Sequence, residues 1–446
     1  MSPAPTTDDP ATVGRRLQLT RATQWFAGTM DDPYALLLRA ETTDPAPYEE
    51  RIRAHGPLFR SELPDTWVTA SRAVADEVIA APAFDWLTAD GRRPGARELP
   101  LSGTALDADR ARCERYGAFT AWGGPLMPAP HGAALRESAE RLAHVLLDGV
   151  AAALADGATA DLVDAYARRL PALVLRDQLG VPGESAAAFD EALAGCRRTL
   201  DSVLCPQLLP DAVAGARAES ELTAVLASAL GGTPVGREPD AVAAARTLAV
   251  GAAEPATTLI ANAVQELLAH PGQWAALAQD PALAAAAVTE TLRVAPPVRL
   301  EWRAAREDTE VAGERIPAHG RVVILVAAVN RDPAGHDGIP ASGNGVPPAS
   351  GSGGGHIRTA PFDLARPEPV PGPFGLPGDL HFSLAGPLVR AVAEAALGAL
   401  AVRLPGLRAT GPAVRRRRSP VLHGHARLPV AAAPAARTPT ATAARN

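Results

Sequence analysis

The chain has 446 residues, 47% of them hydrophobic, which is enough for one large domain or for two or three of average size. Its net charge of -6 argues against nucleic acid or an anionic membrane as the main partner. The three cysteines, Cys113, Cys196 and Cys205, are odd in number and unevenly spaced, which predicts neither a disulfide framework nor a metal site. The polar N-terminal residues do not resemble a signal peptide, and no apolar run reaches the ~18 residues of a membrane span, so we expect a cytoplasmic protein.

The first eighty residues predict an N-terminal extension followed by helices and a hairpin. Residues 1–28 form the extension, in which four apolar side chains lie in a short helical or extended segment: Leu17, Leu19, Trp25 and Phe26. Helix start and stop signals and β-branched or aromatic runs predict the elements that follow. These are a helix opening at Asp32, a second helix over 47–55, strands at 58–60 and 66–69, and a helix from a Ser71 cap to Ala80.

Amphipathic helices dominate the middle of the chain, from Leu135 to Leu230. Residues 240–269 form the longest helical candidate, which could reach ~45 Å and cross a whole domain. Pro255 lies inside it and predicts a kink, because proline has no N–H and its ring clashes with the preceding turn.

Composition and spacing define the remaining segments. In a helix over 281–294, Glu290 and Arg293 have the i, i+3 spacing of an ion pair. After it come a buried strand at 321–328 and a flexible Gly/Ser/Pro-rich insertion at 334–360. A Pro/Gly-rich loop at 374–390 then leads into a helix over 388–404. The chain ends with an arginine run at 415–418, predicted to be a solvated strand edge or turn, and a disordered tail at 431–446.

The loop at 374–390 resembles the haem-binding loop of the cytochrome P450 family. In that family a cysteine supplies the axial thiolate, whose electron donation favours O–O cleavage. Ser383 stands at the cysteine position here, and a serine hydroxyl is not appreciably ionised near neutral pH. His381 and Arg303 match family residues that contact the haem propionates.

The long helix resembles the family's central helix, which crosses the haem face with Ala-Gly-x-Glu/Asp-Thr. The equivalent run here is Gly-Ala-Ala-Glu-Pro at 251–255. Glu254 is retained, but Pro255 replaces the threonine that helps the family deliver protons to bound oxygen. The resemblance therefore implies a second loss at an oxygen-activation position.

Two arginine positions of the family remain open. Glu290 and Arg293 match Glu-x-x-Arg, but Pro361 stands where a third residue, an arginine, would join them, and Arg358 is a candidate substitute. A further propionate contact, from a His-x-x-x-Arg helix, has several candidates: His131 with Arg136, which is one residue too distant, and Arg110, Arg112 and Arg115.

The resemblance implies a mainly α fold with small β-sheets, the cytochrome P450 fold, as a single domain over 29–430. Losing the thiolate while keeping the scaffold is similar to one branch of the family, the haem-free auxiliary proteins of antibiotic deoxyaminosugar glycosyltransferases in macrolide or anthracycline pathways. Three stretches also resemble that branch: 14–19 with Gln24-Trp25, 204–208 and 415–422. We therefore expect no catalytic residues, no haem or other cofactor, and a cognate glycosyltransferase as partner in a hetero-oligomer.

Two other functions remain as hypotheses. One is a haem-binding, monooxygenase-like enzyme with unusual axial ligation through Ser383 or His381. The other is a small-molecule binding protein that uses the vacated pocket. Within the extension, the four apolar side chains named above are the candidate partner-binding residues, and the alternative is that they pack onto their own domain.

Overall fold

The computed structural model describes residues 10–39, 44–85, 133–232, 241–332, 361–366, 372–374 and 385–432. Most of these residues are helical. In chain order the helices are α1 (Pro10–Thr29), α2 (Pro33–Arg39), α3 (Ala46–Ala54), α4 (Arg72–Ala80), α5 (Ala133–Ala153), α6 (Arg169–Gln178), α7 (Ala186–Gly195), α8 (Thr199–Ser202), α9 (Leu209–Leu230), α10 (Ala241–Ala269), α11 (Pro271–Gln279), α12 (Ala284–Val294), α13 (Val326–Val329) and α14 (Gly386–Arg403).

Short strands form four small sheets in the described part of the chain. The strands are β1 (Phe59–Arg60), β2 (Thr66–Thr69), β3 (Phe84–Asp85), β4 (Thr159–Asp161), β5 (Leu300–Ala305), β6 (Thr309–Val311), β7 (Glu314–Ile316), β8 (Arg321–Leu325), β9 (Leu407–Ala409), β10 (Val414–Arg415), β11 (His425–Arg427) and β12 (Pro429–Ala432). The largest sheet has the order β1-β2-β8-β5-β3, the others pair β4-β12-β9, β6-β7 and β10-β11, and β2 runs parallel to β8.

The long helix α10 lies at the centre of the helical core and packs against α9, α12 and α14. Its side chains are largely small or aliphatic, so neighbouring helices can approach it closely, and Leu259, Ile260 and Val264 are fully buried. Pro255 lies inside this helix as predicted. The mainly α fold with small sheets agrees with the fold class expected from the sequence.

Three local predictions need correction. The N-terminal segment is one continuous 20-residue helix, α1, which packs on α2 and α9. The Ser71 side chain makes no cap hydrogen bond; the Asp332 carboxylate accepts from the backbone N–H of Arg72 (2.7 Å) at the start of α4. The strand expected over 321–328 ends at Leu325 and turns into α13.

Several predicted features lie outside the described residues. They are the part of the haem-like loop that holds Ser383 and His381, the insertion at 334–360, Arg358, and the propionate candidates Arg110, Arg112, Arg115 and His131. The prediction of a disordered tail from residue 431 is wrong for Ala431 and Ala432, which pair within strand β12, and the rest of that tail also lies outside the described residues. Among the residues that the structure does describe, no helix is long and apolar enough to cross a membrane.

Candidate functional site

The central helix carries a buried ion pair beside Pro255. Arg416 Nη2 donates to Glu254 Oε2 at 2.8 Å, and each side chain is only 9% exposed. Burial opposes the guanidinium charge, but the carboxylates of Glu254 and Asp201 outweigh it and raise the pKa of Arg416. The prediction that the arginine run is a solvated strand edge or turn is therefore wrong for Arg416, because that side chain turns inward to neutralise an acid of the central helix.

A fully buried aspartate fixes the loop that follows the arginines. Asp201, in α8, accepts from Ser419 Oγ at 2.6 Å and from the backbone N–H groups of Val421 and Leu422 at 3.1 Å each. Burial raises the pKa of Asp201, while these bonds and the nearby Arg416 partly offset that effect. Because the loop is bonded at three points, it holds Arg416 in place against α10.

Arg415 is also anchored on the central helix. Its Nη1 donates to Asn262 Oδ1 at 2.8 Å, and its Nη2 donates to Gln265 Oε1 at 3.3 Å. Burial lowers the pKa of Arg415 to about 10. His425 lies against the same groups, and burial followed by the charge of Arg415 lowers its pKa well below the usual value. We therefore expect the His425 imidazole to be neutral, so that it does not repel the charge of Arg415.

Arg303, the candidate propionate contact, has an internal acid beside it. Arg303 Nη1 lies 3.6 Å from Glu301 Oε2 on β5, and both side chains are 7% exposed. Burial raises the pKa of Glu301 to about 7, with Arg303 acting in the opposite direction. Arg303, which the resemblance matches to a propionate contact, thus lies beside an acid of its own strand.

The structural pair predicted on α12 is present and has a third member. Arg293 Nη2 donates to Glu290 Oε1 at 2.6 Å, and Arg366 Nε donates to the same oxygen at 3.1 Å. The sequence interpretation missed Arg366 because it considered only the position of Pro361 and the residues before it. An arginine three residues after Phe-Asp was the available signal. Arg366 fills the role for which Arg358 had been the candidate.

Two of the three branch-like stretches meet along α1. Gln24 Nε2 donates to the carbonyl of Leu204 at 3.0 Å, and Arg21 Nη2 donates to the carbonyl of Gln207 at 3.0 Å. These bonds satisfy backbone acceptors of a connecting segment that no regular structure pairs. The N-terminal helix is consequently tied to the segment that enters α9.

The third stretch joins the same layer. Arg198 Nη1 donates to Gln207 Oε1 at 3.2 Å and to the carbonyl of Arg417 at 3.3 Å. Gln207 Nε2 also reaches the carbonyl of Arg418 at 3.5 Å. We call this hydrogen-bonded set the arginine layer, defined by its members Arg21, Gln24, Arg198, Gln207 and the backbone carbonyls of Arg417 and Arg418. It connects segments from three distant parts of the chain.

The four apolar residues of the N-terminal segment differ in exposure on α1. Leu17 is 4% exposed and packs on its own domain, so it does not belong to an accessible partner surface. Leu19, Trp25 and Phe26 are 66%, 61% and 65% exposed. Helical spacing explains the exposure of Leu19 and Phe26, which are rotated by about 200° and 180° from Leu17. Trp25, in contrast, lies about 80° from Leu17, at the side of the helix.

Comparison with known proteins places the chain in a family. The cytochrome P450 family model matches residues 261–336. The chain is 54% identical to protein TylM3 of Streptomyces fradiae, with 95% of this chain and 94% of TylM3 covered. It is 34% identical to the cytochrome P450 family protein EryCII of Saccharopolyspora erythraea, covering 95% of this chain and 99% of that one. The crystal structure of ligand-free CYP164A2 of Mycobacterium smegmatis superimposes with a TM-score of 0.71 at 27% identity, over 90% of this chain and 99% of that chain. The chain therefore belongs to the cytochrome P450 family.

Proposed function

We propose that this chain is a non-catalytic, haem-free partner that binds, stabilises and activates a TDP-deoxyaminosugar glycosyltransferase in antibiotic biosynthesis. The observation that carries the proposal is the buried pair of Arg416 with Glu254, next to Pro255. In the oxygenases of the family this part of the central helix carries an acid followed by a threonine, whose hydroxyl helps to deliver protons to bound oxygen. In this chain the acid is held by an arginine and the hydroxyl is replaced by a proline.

The residues at the former haem site do not fit the group. Ser383 offers a hydroxyl that is not ionised near neutral pH, where an axial ligand of this kind must be an anion. Arg303 already lies beside the carboxylate of Glu301, so its charge is not reserved for a propionate. We infer that the protein works without a cofactor and that no redox step passes through it.

Two further observations support the partner role. The chain is similar over almost its whole length to TylM3 and EryCII. The three stretches that resemble the auxiliary branch, far apart in sequence, are joined in the arginine layer. Residues that are far apart in sequence but bonded to one another in the fold are expected when their role is structural and not part of oxygen chemistry.

Activation follows from linkage. A partner that binds the active conformer of the transferase more tightly than the inactive one shifts the population toward the active conformer. Each ~1.4 kcal/mol of preference is a tenfold shift in that equilibrium. The auxiliary protein then contributes binding free energy and supplies no reacting group.

The cofactor expectation is tested by absorption. Protein purified from cells supplied with a haem precursor should show no Soret band, and carbon monoxide with a reductant should cause no shift. A stoichiometric Soret band that moves under carbon monoxide would refute the haem-free proposal. It would support the haem-binding enzyme with unusual ligation.

The partner expectation is tested by co-expression with a TDP-deoxyaminosugar glycosyltransferase of a macrolide pathway. We expect the two chains to co-purify and the glycosyl-transfer rate to rise at least about tenfold over the transferase alone. A transferase that keeps full, lasting activity by itself would refute the role. Stabilisation of the isolated chain by TDP-sugar or aglycone, without any effect on the transferase, would instead favour the small-molecule binding protein.

A further inference from the structure

Helix α1 is apolar on two opposite faces. Val13, Leu17 and Ala27 are buried against the domain. On the other side Leu19 and Phe26 lie seven residues apart, about two turns, and so share one exposed face. A surface helix normally pairs one apolar face with a polar one, and a helix that is apolar on both sides is typical of one covered from both directions.

Exposed apolar side chains concentrate around this helix. Of nine large hydrophobic side chains that are exposed in the described part of the chain, six lie on α1, just after it, or at the start of α9. These six are Leu19, Trp25, Phe26, Met30, Leu208 and Val213. We call them the α1 patch. The arginine layer brings the two helices together, because Arg21 bonds the carbonyl of Gln207, the residue before Leu208.

Trp25 is held in place although it is exposed. The guanidinium of Arg39 lies 5.7 Å from the centroid of its ring, and Arg39 Nη2 donates to the Trp25 carbonyl at 2.5 Å. Gly28 makes room for this arrangement, because a Cβ at that position would collide with the Arg39 guanidinium. A tryptophan side chain has only two χ angles to order on binding, which makes it a favourable interface anchor.

The charge around the α1 patch indicates what covers it. Helix α1 contains three arginines and no acidic residue, although the whole chain carries a net charge of -6. The acids that flank the patch are Asp31, which pairs with Arg51 at 2.8 Å, and Asp211 in the first turn of α9. Arg15 is exposed on the same face as Leu19, and Arg417 is exposed at the edge of the arginine layer. A second copy docked by two-fold symmetry would bring the arginines of two α1 helices into one interface, and repulsion between like charges disfavours that. A different chain with carboxylates around an apolar surface matches both features.

We propose that the α1 patch is the docking surface for the glycosyltransferase, which contacts it with an apolar face bordered by Asp or Glu side chains. This inference rests on the proposed function and adds the surface and the chemistry of the partner. Leu19, Trp25 and Phe26 are the anchors, and Arg15 and Arg417 form the charged rim. Leu17 contributes only by packing the helix onto its own domain.

The test uses the full chain co-expressed with the same macrolide-pathway transferase. Leu19→Glu and Phe26→Glu place a carboxylate in the apolar patch, and each should weaken the complex about 30-fold or more. Val145→Glu and Val402→Glu are matched controls, because these valines are also exposed on helices but lie on α5 and α14. Thermal unfolding of each isolated variant should equal wild type, since all four positions are exposed.

The outcomes separate the two proposals. If wild-type protein neither binds nor activates the transferase, the proposed function and this inference both fail. If wild type binds and the patch variants bind equally well, only the docking surface is refuted. If light scattering shows that wild type is a dimer that Phe26→Glu dissociates, a second copy covers the patch and the assignment to the transferase is wrong. Loss of binding in the patch variants alone, with the controls unaffected, supports the inference.

Discussion

Replacing Arg416 should destabilise the fold by an amount set by two buried acids. Arg416→Met removes the partner of Glu254, at 2.8 Å, and the positive charge nearest the buried Asp201. Breaking a buried ion pair by deleting one member costs about 3–5 kcal/mol, because an uncompensated charge remains inside. Among the described residues, Arg416 Nε and Nη1 have no hydrogen-bond partner, so the wild-type pair is not fully satisfied. We therefore expect the lower end, about 3 kcal/mol.

Urea unfolding and thermal melting of the isolated protein measure this change. A loss of about 3 kcal/mol corresponds to a Tm lower by about 3 °C for a chain of this size. Arg417→Met is the matched control, since Arg417 is the next residue and its side chain is exposed. Its free energy of unfolding should lie within about 0.5 kcal/mol of the wild-type value. Glu254→Gln added to Arg416→Met removes the orphaned charge and should recover about 2 kcal/mol.

Two results would refute the reasoning. The first is an Arg416→Met protein that is as stable as Arg417→Met, since that would mean the guanidinium lies in solvent. The second is a double variant that is no more stable than Arg416→Met alone, since the unpaired charge of Glu254 would then not be the cause of the lost stability. Either result would also remove the observation that carries the proposed function.

Three further substitutions test the packing around Arg416, the burial of Glu301 and the third member of the Glu290 cluster. Gly424→Ala should cost about 2 kcal/mol, because the new Cβ would displace the Arg416 guanidinium. Glu301→Gln should stabilise the protein, and the gain should be about 2 kcal/mol larger at pH 8 than at pH 5. Burial raises the pKa of Glu301 from 4.5 to about 7, so this carboxyl ionises first in the unfolded state. The stability of the wild-type protein therefore falls as the pH rises through this window. Arg366→Ala should cost about 1–2 kcal/mol, because it removes a bond to the buried Glu290 from a partly exposed side chain.

Equilibrium unfolding checks all three. Gly424→Ala in an Arg416→Met background should have little additional effect, and a full additive loss would contradict the proposed collision. A pH-independent effect of Glu301→Gln would mean that this carboxyl does not titrate in the expected window. For Arg366→Ala, an unchanged unfolding midpoint would show that the pair of Glu290 and Arg293 needs no third member.

The sequence alone determined features that depend on neighbours along the chain. Helical periodicity and proline and glycine signals located α3, α4 and α12 to within a few residues. The i, i+3 spacing predicted the pair of Glu290 with Arg293, now seen at 2.6 Å. Residue identity at motif positions was enough to recognise the family and to notice Ser383 and Pro255. Such features are local, so no tertiary information is needed to find them.

The tertiary structure decided what the distant partners are. Arg416 and Glu254 lie 162 residues apart, and no period or spacing relates them. Four consecutive arginines look alike in sequence, yet Arg416 turns into the core and Arg417 into solvent, because Asp201 fixes the loop in one orientation. The orientation of α1 was also decided by the tertiary structure. Its sequence has little amphipathic pattern and does not predict which side of the helix faces the domain. Packing against α2 and α9 determined that Leu17 is covered and that Leu19 and Phe26 are exposed.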